Sequence, residues 1–247
     1  MNSSTSVVER EREYHNQRFA EETRVAQEKY YFALRACDAR YEQLVVDHSR
    51  DAVALDYGCA KGDWALRIAP SAKTVHGVDI SDVAIDAARA DAAAQGLGNA
   101  HFATMDAHNM EFEDGTFDLV FGHGIIHHLD TRQSLQEVSR VLKPGGVAVF
   151  CEPLGYNPII NLYRAATPGA RTIDEHPLVQ ADRDIAGELF RGNDWEFHAL
   201  TSLASVPFRN SSFGERLYDW TTKLDRALFR LPVMRWQAWS ALMVLTK

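Results

Sequence analysis

The sequence is poor in cysteine, in unbroken apolar runs and in excess positive charge, and each shortage excludes something. Its three cysteines, Cys37, Cys59 and Cys151, form no CxxC pair among 247 residues, so neither a zinc motif nor a disulfide framework is indicated. A small, odd number of thiols fits a reducing cytoplasm. No stretch approaches the roughly 20 apolar residues of a membrane span, so no stable membrane insertion is expected. The opening MNSSTSVVEREREYHNQRF carries charge where a secretory leader has an apolar core. With 34 acidic against 26 basic side chains the net charge is -8. The chain therefore lacks the basic stripe that neutralises phosphates, and a nucleic-acid partner is not expected. Internal repeats and low-complexity segments are also missing.

Three regions differ in rhythm. Residues 1–50 read as a helical arm: Tyr31, Leu34, Cys37, Tyr41 and Leu44 recur at spacings of three and four. Residues 51–153 alternate strands with helices. The strands are expected at 52–58, 74–80, 100–106, 117–124 and 146–153. A helix follows Ser81 and stops at Gly96, and another spans 131–142 before Lys143-Pro144-Gly145-Gly146. Such alternation predicts an α/β fold, a mostly parallel sheet with helices on both faces. Residues 154–238 are an insertion carrying Pro158, Pro168 and Pro177. A sixth strand is expected within DWEFHALTSLASV, followed by a helical segment over 213–238 broken near Pro232. Residues 239–247 read as a final strand that returns to the sheet.

The stretch LDYGCAKGDWALRI, residues 55–68, places a small-residue turn between a strand and a helix. A dinucleotide site would show GxGxxG with the helix start facing a pyrophosphate. Here the turn is Gly58-Cys59-Ala60-Lys61-Gly62, one residue shorter, and Asp56 precedes it. An acidic residue suits an ammonium, not a phosphate. Asp79, at the end of the second strand, is placed to accept from both ribose hydroxyls. Asp106, after the third, is placed to accept from an adenine amine. Three carboxylates at three successive strand ends describe an adenosine site.

The segments LDYGCAKG, GVDIS, MDAHNMEFEDGTFDLVFGHGIIHHL and LKPGGVAVFCEP resemble, in this order, the class I S-adenosylmethionine-dependent methyltransferases. The likeness is to their small-molecule branch, of the ubiquinone and menaquinone methyltransferase type. It covers about residues 50–153, and the final strand fits as well. Ala60 departs from it, standing where the family commonly has a second glycine. The resemblance implies a Rossmann-like seven-stranded sheet with an antiparallel last strand, and S-adenosylmethionine as cofactor. It implies Gly58, Ala60 and Gly62 as a cradle for the methionine part, with Asp56 ordering the loop or meeting the amino group. It further implies Asp79 on the ribose, Ile80 against the adenine, Asp106 and Ala107 on the adenine edge, and the His123 carbonyl on the methionine amine.

The reaction zone holds His127 and His128, candidate catalytic bases or packing groups. A neutral imidazole can take a proton from an acceptor as the methyl arrives. Glu152, Tyr156 and Tyr31 are candidate acceptor-side residues, with Glu152 alternatively pairing with a basic side chain. His123, His127, Asp130 and Glu152 are the nearest approach to a metal set. No HExxH-like motif supports it, so no metal is expected. Phe213, Leu217, Trp220, Leu224, Leu228 and Leu231 form a stripe expected to pack on the sheet or the arm, with a lid or a homodimer contact as alternatives. The implied function is methyl transfer to a small, apolar or aromatic acceptor. O-methylation in specialised metabolism is preferred, with C-methylation of an activated carbon or non-catalytic cofactor binding as alternatives.

Overall fold

The apolar runs between the turns are buried on both faces, as strands between two helix layers must be. The computed structural model describes residues 7–21, 28–167 and 175–247. Its strands are β1 Val53–Tyr57, β2 Thr74–Asp79, β3 Ala100–Thr104, β4 Phe117–His123, β5 Leu142–Pro153, β6 Gly192–His198 and β7 Ser240–Thr246. They form one seven-stranded sheet in the order β3-β2-β1-β4-β5-β7-β6. The strand β7 is antiparallel to β5 and β6, while the other neighbours run parallel. This is the expected Rossmann-like architecture. Strand order reverses between β1 and β4, and a crevice opens at the carboxyl ends of the strands at such a switch point.

The helices are α1 Val7–Glu21, α2 Glu28–Tyr31, α3 Arg35–Ser49, α4 Asp63–Ile68, α5 Asp82–Ala94, α6 Thr131–Val141, α7 Pro158–Ala166, α8 Gln180–Leu189, α9 Ser212–Leu228 and α10 Pro232–Arg235. Alternate residues of β1 feed opposite cores. Leu55 and Tyr57 join Val120, Leu135 and Phe150 on one face, and Ala54 joins Leu119, Phe121 and Ile85 on the other. Helix starts follow the chain's polar signals. Ser81 accepts from the Ala84 amide, Asp130 from Gln133, and Asn157 from Ile159 and Ile160 ahead of Pro158.

The arm is helical where it is described, in α1, α2 and α3; its residues 1–6 and 22–27 lie outside the described residues, as does Pro168. Three expectations change. The strand β5 starts at Leu142, four residues early, and residues 143–146 bulge out of its pairing with β4, which runs from Phe117 opposite Leu142 directly to Leu119 opposite Val147. The strand β6 ends at His198, and 201–208 is a 3-10 helix. The amides of Leu200, Thr201 and Ser202 donate to the Asp225 carboxylate instead of to a neighbouring strand. That bonding also turns α9 over. Its buried face is Gly214, Tyr218, Thr221 and Asp225, while Phe213 and Trp220 of the apolar stripe are exposed. Buried polar groups are stable only when hydrogen-bonded, and the backbone at 200–202 supplies the partners that hold Asp225 inside.

Candidate active site

A cavity of about 1200 Å³ lies over the carboxyl ends of β1, β2, β4 and β5, roofed by α1, the start of α3 and the segment around α7. The arm is fixed there by two bonds from Asn16 to the start of α5. Asn16 Nδ2 donates to Asp82 Oδ1 at 2.7 Å, and the Ser81 hydroxyl donates to Asn16 Oδ1 at 2.6 Å.

The glycine turn forms one wall and is shaped by its own hydrogen bonds. The amides of Gly58 and Cys59 donate to the Val78 carbonyl, and that of Gly62 donates to Cys59. The Ala60 amide donates to Asp79 Oδ2 at 2.8 Å. Four amides of the turn are thus engaged by the protein itself. Gly58 sits at φ +76, and a Cβ there would come within 2.7 Å of Ile125. Ala60 accepts the left-handed region at φ 48. Gly62 does not line the cavity: it starts α4, and a Cβ on it would come within 2.8 Å of Phe102. Its lack of a side chain allows close packing of helix on sheet.

The acidic strand ends converge on the same cavity. Asp56 is buried, lines the cavity, and accepts from the Ala65 amide at 3.0 Å, so it ties α4 to β1. Burial raises its pKa to about 8, with the Ala65 hydrogen bond opposing and Asp79 and Asp63 adding to the rise. Asp79 holds Ala60 with one oxygen and accepts from the Ser81 amide with the other, at 2.9 Å. Asp106 accepts from His108: His108 Nε2 accepts from the Asp130 amide at 3.0 Å, so its Nδ1 carries the hydrogen facing Asp106 Oδ1 at 3.2 Å. Ile80 and Ala107 line the cavity between these carboxylates. The Ala107 carbonyl is fixed by the Tyr57 hydroxyl at 2.7 Å.

His123 lines the cavity with its ring 3.4 Å from Asp38 Oδ1. Next to it, Cys151 Sγ lies 3.2 Å from Cys37 Sγ, joining α3 to β5. Glu152 is fully engaged. It accepts from the Ile125 and Ile126 amides at 2.9 Å and faces His127 Nδ1 at 2.7 Å. It acts as an internal partner of the 126–128 turn, the alternative to an acceptor contact. His127 is buried, with Glu175 3.4 Å from its Nε2. Burial opposes its charge, but Glu152 and Glu175 outweigh that and raise its pKa to about 9. With Glu152 on one ring nitrogen and Glu175 near the other, His127 sits in a buried acidic pocket. His128 lines the cavity, and its Nδ1 makes no hydrogen bond. Asp130 caps α6, and His123 lies with Asp38 and Cys151, while His127 pairs with Glu152.

Tyr31 lines the cavity together with Tyr30, Tyr163 and Trp239. Tyr156 does not: it is exposed and stacks edge-on against Trp236, outside the site. Sequence reasoning passed over Glu11, His15 and Glu175. The first two stand four apart on α1 and share a helix face. Glu175 has no local signal. It is positioned by backbone bonds of the following residues: the His176 amide donates to the His127 carbonyl, and Leu178 donates to Pro153.

Comparison with known proteins agrees with this geometry. Residues 54–146 match the family described as "Methyltransferase domain". The likeness lies in the core of the sheet, from β1 to the start of β5. Among curated relatives, the demethylmenaquinone methyltransferases of Lactococcus lactis and Geobacillus kaustophilus are 34% and 35% identical over 117 and 103 residues. The first match covers 45% of this chain and 45% of the relative, and the second covers 40% and 44%. The chain thus matches less than half the length of either. Among solved structures, the geranyl diphosphate C-methyltransferase of Streptomyces coelicolor superposes with a TM-score of 0.67 at 12% identity. That superposition covers 99% of both chains, so it extends the shared fold to the arm and the insertion around the methyltransferase domain. The Streptomyces structure holds S-adenosylhomocysteine. The Asp79 and Asp106 carboxylates face the cavity, where they can accept from hydroxyls and amines.

Proposed function

We propose that this chain transfers the methyl group of S-adenosylmethionine to an oxygen of a small acceptor held in the same cavity. The observation that carries the reading is the cavity's size together with its two kinds of wall. Its volume of about 1200 Å³ exceeds the roughly 300–1,000 Å³ of a pocket for one drug-sized ligand. The strand-end carboxylates account for one side. The other side, with Tyr30, Tyr31, Tyr163 and the Glu11–His15–His128 group, is left for an acceptor. In this reading residues 51–153 and 239–247 bind the cofactor, and 1–50 and 154–238 supply the acceptor side. The three free, buried thiols suit a reducing cytoplasm. Among the described residues, no helix is long and apolar enough to cross a membrane.

S-adenosylmethionine, when bound, supplies a methyl group made electrophilic by its sulfonium. The protein's work is then to bind, align and exclude water. Orientation of this kind is worth roughly 7–11 kcal/mol in favourable cases. Asp79 and Asp106 hold the adenosine part. The arm closes over it through Asn16, and the Glu152–His127 pair fixes the 126–128 turn that presents His128 to the acceptor.

C-methylation of an activated carbon is the second reading. The names of the curated relatives favour it, as does the superposition with a C-methyltransferase along the whole chain. Cofactor binding without catalysis is disfavoured because the described residues leave the acceptor side open.

The test is calorimetric titration with S-adenosylmethionine, S-adenosylhomocysteine and nicotinamide dinucleotides, followed by transfer of labelled methyl to phenolic, carboxylic and quinone acceptors. Micromolar binding of the first two alone, with label appearing on oxygen, supports the proposal. Label on carbon selects the second reading. Binding without transfer to any acceptor class leaves a binding protein, and dinucleotide binding overturns the reading.

A further inference from the structure

Glu11, His15 and His128 bring one carboxylate oxygen and two imidazole nitrogens to a single point on the acceptor wall. Glu11 Oε2 lies 3.4 Å from His15 Nε2 and 3.4 Å from His128 Nδ1. The third separation is within 4.8 Å. These distances are long for charge-assisted hydrogen bonds, which run at about 2.7–2.9 Å. They match the edge of a metal tetrahedron: bonds of about 2.0–2.1 Å at tetrahedral angles place donor atoms about 3.4 Å apart. His128 Nδ1 makes no hydrogen bond and is buried, so it is an orphaned donor atom aimed into the group.

The surroundings extend the pattern. His128 Nε2 faces Glu175 Oε1 at 3.6 Å, on the side away from Glu11. A metal-bound imidazole ordinarily turns its other nitrogen to a carboxylate, which fixes the ring and its tautomer. His15 and His128 cross edge to face at 75° with centroids 5.4 Å apart, which lets both lone pairs reach one centre without a ring clash. Glu11 and His15 stand four residues apart on α1, the spacing at which two helical side chains share a metal.

We propose that Glu11, His15 and His128 bind a divalent transition-metal ion of the zinc class, with Glu175 as the partner of His128 and the fourth position open to the cavity. Two imidazoles and one carboxylate suit zinc, whereas magnesium and calcium prefer oxygen ligands alone. Three protein ligands with an open fourth position is the arrangement of catalytic zinc sites, as opposed to structural ones. Two ligands come from the arm and one from the 126–128 turn, so the ion also bolts the arm over the site. The open position takes an oxygen of the acceptor, a hydroxyl or a carboxyl, and coordination lowers the pKa of a bound hydroxyl so that its proton passes to solvent before methylation. This last role rests on the methyltransferase reading; the metal site itself does not.

The test uses the full chain, stripped with chelator and titrated with Zn2+ by calorimetry and with Co2+ by visible absorption. One equivalent is expected to bind, and the cobalt form shows the intense d–d bands of tetrahedral coordination. His15→Ala and His128→Ala each lower metal affinity by about 100-fold or more, and Glu175→Gln lowers it about 10-fold. S-adenosylhomocysteine titration reports whether each variant is folded. His15→Ala, on the arm, carries the test where His128→Ala does not fold. Absence of metal binding in the wild type overturns the proposal. So does binding that survives both histidine variants but is lost in Cys151→Ser, which assigns the ion to the Asp38–His123–Cys151 group instead. S-adenosylhomocysteine binding without metal binding defeats the metal site alone, and metal binding without S-adenosylhomocysteine binding defeats the methyltransferase reading alone.

Discussion

Asp79 Oδ2 accepts the Ala60 amide hydrogen at 2.8 Å, and this bond ties the end of β2 to the glycine turn after β1. The same carboxylate caps the Ser81 amide. One residue thus shapes the turn and offers oxygen lone pairs to the cavity. Asp79→Ala is expected to weaken S-adenosylhomocysteine binding by more than about tenfold, or 1.4 kcal/mol. It should also lower thermal stability, because the Ala60 amide at φ 48 loses its partner. Calorimetry and a melting curve on the same sample check this. Unchanged affinity would remove Asp79 from the cofactor wall.

Gly58 is needed for two separable reasons, its φ of +76 and its contact with Ile125. Gly58→Ala is expected to cost roughly 1–3 kcal/mol of stability, the usual range for overpacking, with an added share from backbone strain. The double variant Gly58→Ala/Ile125→Ala should recover part of the packing cost and none of the strain. Urea unfolding of the four proteins of the cycle measures the coupling. Strict additivity would show that the Ile125 contact is irrelevant.

Asp56 makes stability depend on pH. Its carboxyl keeps its proton up to about 8 in the folded protein and loses it near 3.8 when unfolded. Between those values the unfolded chain binds fewer protons than the native one. Stability therefore falls as pH rises through this window, by up to about 1.4 kcal/mol per pH unit. Asp56→Asn keeps an oxygen for the Ala65 amide and removes the titration. The expected outcome is that the variant gains on the wild type steadily from pH 5 to pH 8, as followed by urea midpoints. Parallel curves would mean that Asp56 is ionised when buried.

Glu152 closes a buried pair with His127 and satisfies the amides of Ile125 and Ile126. Removing one member of a buried pair leaves the other charge uncompensated, at a cost of about 3–5 kcal/mol. Glu152→Ala should be destabilised by that order, and Glu152→Gln by less, since the amide oxygen still accepts from the turn. If turnover fell in Glu152→Gln while stability and cofactor binding held, Glu152 would belong to the acceptor after all.

Much of the cofactor side was readable in the chain because it is local. The strand–turn–helix around Gly58, the acidic strand ends at Asp79 and Asp106, and the caps at Ser81 and Asp130 each depend on neighbours a few residues away. The alternation of strands and helices carried the sheet as well, since parallel strands need a covering helix between them. The acceptor side was not readable in this way. Glu11, His15, His128 and Glu175 lie more than 160 residues apart at their extremes, and only the docking of α1 on α5 and of the 175–178 segment on β5 brings them together. The buried face of α9 was misjudged for the same reason. Its Phe213 and Trp220 point to water, while Asp225 and Thr221 are held inside by partners in the 201–208 helix, and a periodic pattern does not contain those partners. The pairing of His127 with Glu152 likewise exists only in three dimensions, as a 2.7 Å contact across 25 residues. Local hydrogen-bonding and alternation are written in the order of residues, whereas burial and charge pairing depend on which distant segments share the same low-dielectric space.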